Sequence, residues 1–252
     1  MPDSERIINP ERVRTEIPGF DELCGGGLLK RRSYLVSGLS GAGKTILGLQ
    51  YLYNGIIKHG EHGIYVSTEE APLRVRENML QFGWDLKKLE EDGKLAIIDA
   101  RHLKFGASSL DRSVNVESFD MDSLLDKFLL KQDEVAAKRV LVGGAASISY
   151  SLGEHSKTRG ELMKLSKTLE YMGLTSLITC ETIDESGAGR FGFETFITDG
   201  TILMSQKRVD NVKVRSIEIL QMKGSNHSQS IHPYEITSNG IVVHSNEDIY
   251  SS

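Results

Sequence analysis

Residues 38 to 45, Gly38-Leu39-Ser40-Gly41-Ala42-Gly43-Lys44-Thr45, match the phosphate-loop pattern G-x-x-x-x-G-K-[ST] at every fixed position. Glycines at this spacing let a loop turn its amide N–H groups inward around phosphate oxygens. A helix that starts at the lysine adds the positive end of its dipole. Lys44 would reach the β- and γ-phosphates of a nucleoside triphosphate, and the Thr45 hydroxyl would ligate its Mg²⁺. The pattern carries weight only between a strand and a helix. The apolar run "SYLVSG" before it and the helically spaced "KTILGLQYLYNGIIKHG" after it supply that context.

Hydrolysis would also need carboxylates. Glu69 and Glu70 end the run "GIYVSTEE", where an acid can face the nucleotide and polarise an attacking water. The same pair also suits the N-terminus of a helix starting near Ala71, where acids are favoured. Residues alone leave both readings open. A magnesium-binding carboxylate is expected at the end of a further buried strand, and "RVLVGGAASI" is a strand of that kind. It offers Gly143 and Gly144 instead. Asp99, ending "LAIID", and Glu181, ending "LITCE", are the other strand-end acids.

The elements that must hold these residues alternate. Strands are expected at "SYLVSG", "GIYVSTEE", "KLAIIDA", "RVLVGG" and "LTSLITCE". Helices lie between them, with Gly60 just past the end of one and Pro72 in the first turn of another. That alternation predicts an α/β fold with a mostly parallel sheet covered on both faces. After Glu181 the pattern changes. Residues 200–222 read as two strands joined at Asp210-Asn211, and 231–244 as a hairpin turning at Ser238-Asn239-Gly240, an antiparallel C-terminal extension. Residues 1–14 are expected to be an arm, residues 101–118 have no dependable period, and 1–252 reads as a single domain.

Composition narrows the partners. The chain has 252 residues, 39% hydrophobic and 26% charged, with 30 basic against 35 acidic residues and a net charge of −5. A mildly acidic chain has no general attraction for nucleic acid or an anionic membrane. No run approaches the ~20 apolar residues of a membrane span, and the start of the chain is polar, so a cytoplasmic location is expected. Cys24 and Cys180 are expected as free thiols. His59, His62, His227 and His232 lack the acid or cysteine company of a metal site. Trp84 reads as a core aromatic, and the basic patches at 30–35 and 131–139 as solvated faces.

"IPGFDELCGGGLLKRRSYLVSGLSGAGKT", "STEEAPLRVRENMLQFGWDLKKLEEDGKLAIIDA", "GRFGFETFITDGTI" and "MKGSNHSQSIHPYEI" together resemble the KaiC-like branch of the RecA/RadA ATPases. The form resembled is the stand-alone, single-domain one common in archaea. The resemblance implies a RecA-like P-loop NTPase core, ATP or ADP with Mg²⁺ held between neighbouring subunits, and a homo-oligomer, often a hexamer. It makes Glu69 and Glu70 the catalytic carboxylates and places Arg190 in a subunit-contact loop near the neighbouring nucleotide.

Two features of that family are missing. Its Walker B aspartate falls on Gly143, since "GKLAIIDA" with Asp99 occurs in the family beside a separate Walker B strand. Its Lys-x-Arg finger reads Gln221-Met222-Lys223, which loses one cation and the bidentate fork of arginine. Losing an outer-shell acid weakens metal affinity or activity by roughly 10–100-fold. Losing an arginine finger can cost about 10³–10⁵ in turnover. Nucleotide binding is therefore expected to survive better than hydrolysis. The expected function is a KaiC-like ATP-binding protein with slow or no hydrolysis that signals to a protein partner. The alternatives are a recombinase-type paralogue that binds single-stranded DNA and, behind it, an autokinase.

Overall fold

The structure is a computed structural model that describes residues 10–101, 120–145, 147–148, 155–182, 197–210 and 212–249. The first half contains β1 (Arg12–Val13), α1 (Phe20–Leu23), β2 (Leu28–Leu29), β3 (Ser33–Gly38), α2 (Lys44–His59), β4 (Gly63–Ser67), α3 (Pro72–Leu80), α4 (Leu86–Glu91) and β5 (Leu95–Asp99). The second half contains α5 (Met121–Val135), β6 (Arg139–Gly143), α6 (His155–Tyr171), β7 (Thr175–Glu181), β8 (Gly200–Val209), β9 (Val212–Met222), β10 (His232–Thr237) and β11 (Gly240–Val243). Local chemistry sets the boundaries. Gly60 closes α2 in the left-handed conformation and Pro72 opens α3. The Asp85 and Asp120 side chains accept N–H bonds that start α4 and α5.

One nine-stranded sheet has the order β11-β10-β9-β8-β3-β7-β6-β4-β5. Strands β5, β4, β6, β7, β3 and β8 are parallel, and β9, β10 and β11 continue antiparallel from β8. This is the expected α/β architecture, including its antiparallel end. Every residue of β3 is buried, as suits a parallel strand covered on both faces. Alternate residues supply the two faces. Tyr34, Tyr65, Leu141 and Leu177 pack with α2, while Leu35, Val66, Val142 and Ile178 pack with α5 and α6.

Two expectations need correction. Residues 10–14 are not a loose arm: Arg12–Val13 pairs with Leu28–Leu29. The Arg12 guanidinium also bonds the Cys24 and Gly27 carbonyls and the Ser225 hydroxyl. Nor is the patch at 131–139 simply a solvated face. Lys138 is exposed, but Arg139 is 1% exposed. It pairs with Glu61 at 2.7 Å, donates to the Tyr51 and Arg14 carbonyls and lies over the Tyr51 ring. Truncating one partner of such a buried pair costs about 3–5 kcal/mol. Segment 102–119, most of the aperiodic stretch, lies outside the described residues.

Candidate nucleotide site

The phosphate loop leaves the C-terminal end of β3 and runs into α2, as the motif requires. Side chains from the C-terminal strands hold it. Gln206 Nε2 on β8 donates to the Ser40 carbonyl at 2.9 Å. The Tyr234 hydroxyl on β10 donates to the Ala42 carbonyl, and Ile236 packs where a Cβ on Gly43 would stand. Lys44 Nζ folds back to donate to the Gly38 and Leu39 carbonyls at 2.8 and 2.9 Å. Burial lowers the pKa of this ammonium, while the nearby Glu181 and Glu69 carboxylates favour its charged form.

A pocket of about 440 Å³ opens over the loop. Lys44, Thr45, Glu69, Glu70, Thr179 and Glu181 are on its polar side, with Ile46, Val75, Met79, Phe82 and Ile236 on its apolar side. The polar end has phosphate-loop chemistry. The apolar wall suits a flat heterocycle, and Phe82 is itself stacked on Trp84 at 5.0 Å between centroids. Trp84 is 5% exposed, the core aromatic that was expected.

The two glutamates are not equivalent. The Glu69 carboxylate reaches across to β6 and accepts the Ser147 hydroxyl at 2.8 Å. The Glu70 carboxylate accepts from Asn78 on α3 at 3.4 Å, and its carbonyl accepts the Ser67 hydroxyl. No side chain caps the N-terminus of α3.

The glycines ending β6 have separate physical reasons. Ser67 and Gly143 are paired in register, and both share the α2 face with Tyr65 and Leu141. A Cβ on Gly143 would lie 3.0 Å from the Tyr65 hydroxyl and 3.1 Å from its ring. Tyr65 is buried, which raises its phenol pKa to about 12 against a hydrogen bond with Ser67 that lowers it. An aspartate at 143 would therefore need the Tyr65 phenol to give way by a few tenths of an ångström. Gly144 has φ +74°, and a Cβ there would stand 2.5 Å from Thr68 Oγ1 and 2.6 Å from the Glu69 carboxylate. Its lack of a side chain lets Glu69 lie across the end of β6. Thr68 ties down the same turn by donating to the Gly143 and Gly144 carbonyls.

Other expected residues lie elsewhere. Lys223 donates its amine to the Thr198 carbonyl at 2.7 Å and its backbone N–H to Asp199, which in turn bonds Ser33 at the start of β3. That places it five residues from the phosphate-loop end of β3, about 17 Å at ~3.3 Å per residue. Asp99 is four strands from β3, about 19 Å at ~4.8 Å per strand, and pairs with Arg101. It is no substitute for the acid missing from β6. Arg190 lies outside the described residues. His62 bonds the Val135 carbonyl, and His59 bonds Glu16. The sequence reading missed Gln206, Tyr234, Tyr65 and the apolar wall. Gln206, Tyr234 and Ile236 meet the site only through packing between elements distant in the chain.

A sequence model of the KaiC ATPase family matches residues 13–248. The chain belongs to this family. It is 37% identical over 233 residues to the circadian clock oscillator protein KaiC of Synechococcus elongatus, covering 92% of this chain and 44% of that protein. The chain thus spans less than half the length of that relative. It is 38% identical over 236 residues to a UPF0273 protein of Aeropyrum pernix, covering 93% and 94% of the two chains. Among solved structures, a KaiC-like protein from Pyrococcus horikoshii OT3 superposes with a TM-score of 0.81 at 34% identity, covering 94% of this chain and 100% of that one. That neighbour supports the RecA-like reading of the sheet.

Membership of a KaiC ATPase family implies a nucleotide and Mg²⁺. Among the described residues, no group of three or more His, Cys, Asp or Glu side chains could hold a metal by itself. The donors present, the Thr45 hydroxyl and the Glu69 and Glu181 carboxylates, are hard oxygens beside a phosphate loop. They fit a cation that takes most of its shell from phosphate and water. No helix among the described residues is long and apolar enough to cross a membrane.

Proposed function

We propose that this KaiC-family chain binds ATP and ADP with Mg²⁺ in the pocket above the phosphate loop, hydrolyses ATP slowly, and uses the bound nucleotide to regulate a protein partner. One observation carries this reading. Lys44, Thr45 and the glutamate pair converge on a single pocket, while β6 ends in Gly143 against the Tyr65 phenol and offers no acid.

Lys44 exchanges the Gly38 and Leu39 carbonyls for phosphate oxygens, and the loop amides hold the remaining phosphate charge. The Thr45 hydroxyl faces the cation, and bound Mg²⁺ would neutralise charge on the β- and γ-phosphates. Glu69, oriented by Ser147, accepts a proton from the attacking water. Glu70, tied to Asn78, holds the turn that presents Glu69. Lys223 serves the nucleotide of a neighbouring subunit in a ring, a hexamer by analogy with the family. To do so it must leave the Thr198 carbonyl, and it arrives as a point charge without the arginine fork. Arg190 belongs to the same proposed contact.

The test is equilibrium binding of a slowly hydrolysed ATP analogue with Mg²⁺. Wild type is expected to bind, and Lys44→Ala to lose about two orders of magnitude in affinity, in line with roughly 1.5–3 kcal/mol for a charge-assisted hydrogen bond. Equal binding by both proteins would remove the phosphate loop from the function.

A further inference from the structure

We propose that Glu181 supplies the carboxylate that Gly143 lacks, holding the water shell of a phosphate-bound divalent cation from β7 instead of β6. The inference rests on the nucleotide reading above and assigns the residue that completes the same site.

Strand order makes β7 the natural donor. It lies between β3, which carries the phosphate loop, and β6, where the acid is missing. Glu181 is the last residue of β7 and pairs in register with Gly38, the first residue of the loop motif. Alternation along β7 puts Leu177, Thr179 and Glu181 on one face. Leu177 packs in the cluster around α2, so Glu181 emerges on the side of the sheet from which α2 presents Lys44 and Thr45. Thr179 and Glu181 both line the pocket.

The other candidates are occupied or distant. Gly143 carries no side chain, and the Tyr65 phenol lies close against it. Glu69 crosses to Ser147 and overlies Gly144, beyond the end of β6. Glu70 is directed to α3. Glu181 shares the pocket with Lys44 and Thr45, the phosphate-loop residues that would face phosphate and cation. A carboxylate there favours Mg²⁺ and opposes bare phosphate, so the residue is a positioning residue with opposite effects in the two conditions.

That opposition defines the test. A fluorescent ADP analogue is titrated into wild type, Glu181→Gln and Glu181→Asp, once in EDTA and once across a Mg²⁺ series. In EDTA, Glu181→Gln is expected to bind ADP as tightly as wild type or more tightly. In the Mg²⁺ series, its midpoint for Mg²⁺ enhancement is expected to rise by roughly 10–100-fold. Glu181→Asp, which keeps the charge on a shorter stem, is expected to fall between them. An unchanged Mg²⁺ midpoint in Glu181→Gln, or an equal loss of ADP affinity with and without Mg²⁺, overturns the inference while leaving the nucleotide site intact. Failure of the wild-type chain to bind ADP in either condition overturns the nucleotide reading and this inference with it.

Discussion

Gly143 and Gly144 separate what is missing from this site from what is retained. Neither glycine is simply an acid deleted. At 143 a Cβ would press on the Tyr65 phenol, and at 144 the backbone makes room for Glu69. Gly143→Asp is therefore expected to fail as a restoration. It crowds a buried phenol, at about 1–3 kcal/mol for overpacking, and turnover should not rise above wild type in a phosphate-release assay. Adding Tyr65→Phe removes the hydroxyl nearest the new Cβ and should recover part of the lost stability in thermal unfolding. A Gly143→Asp protein that is fully stable and hydrolyses faster would show that the Tyr65 packing does not exclude an acid. At this scale the sequence shows which residue types are present and which one is absent. It does not show that a tyrosine seventy-eight positions earlier lies against Gly143, because that contact depends on the β4–β6 register.

At the scale of elements, the phosphate loop depends on strands that follow it by more than a hundred residues. Tyr234 and Gln206 fix the Ala42 and Ser40 carbonyls, and Ile236 fills the space behind Gly43. Tyr234→Phe leaves a buried carbonyl without its donor, a loss of about 1–3 kcal/mol. It should lower both the unfolding temperature and ATP affinity, and an unchanged ATP affinity would mean that the loop keeps its shape without this bond. The parallel strands were legible because a doubly covered strand is an unbroken apolar run, as in "SYLVSG" and "RVLVG". The helices were legible from their period and from markers such as Gly60 and Pro72. The end of β4 was not: Thr68, Glu69 and Glu70 read as strand but form the turn beyond it, bonded to β6 and α3. Arg139 was misread for a related reason. Its charge suggested solvent, but Glu61, Tyr51 and two carbonyls satisfy it inside the core.

At the scale of the whole molecule, Lys223 stands apart from the nucleotide pocket. The phosphate loop and its carboxylates lie at the C-terminal ends of the parallel strands, while Lys223 lies at the opposite end, against Thr198. A cation held there serves no phosphate in its own pocket. In the proposed ring, Lys223→Ala should leave ATP binding by wild-type sites unchanged and slow turnover further. A variant that hydrolyses ATP at the wild-type rate would remove Lys223 from the chemistry. In the proposed function this KaiC-family site holds ATP better than it cleaves it. The most direct measurement is the identity of the nucleotide retained after purified protein is incubated with Mg²⁺ and ATP, isolated by gel filtration and extracted, alongside Glu69→Gln. Mostly intact ATP is expected on wild type and only ATP on Glu69→Gln. Wild-type protein that retains only ADP would contradict slow hydrolysis, and ADP on Glu69→Gln as well would remove Glu69 from the chemistry.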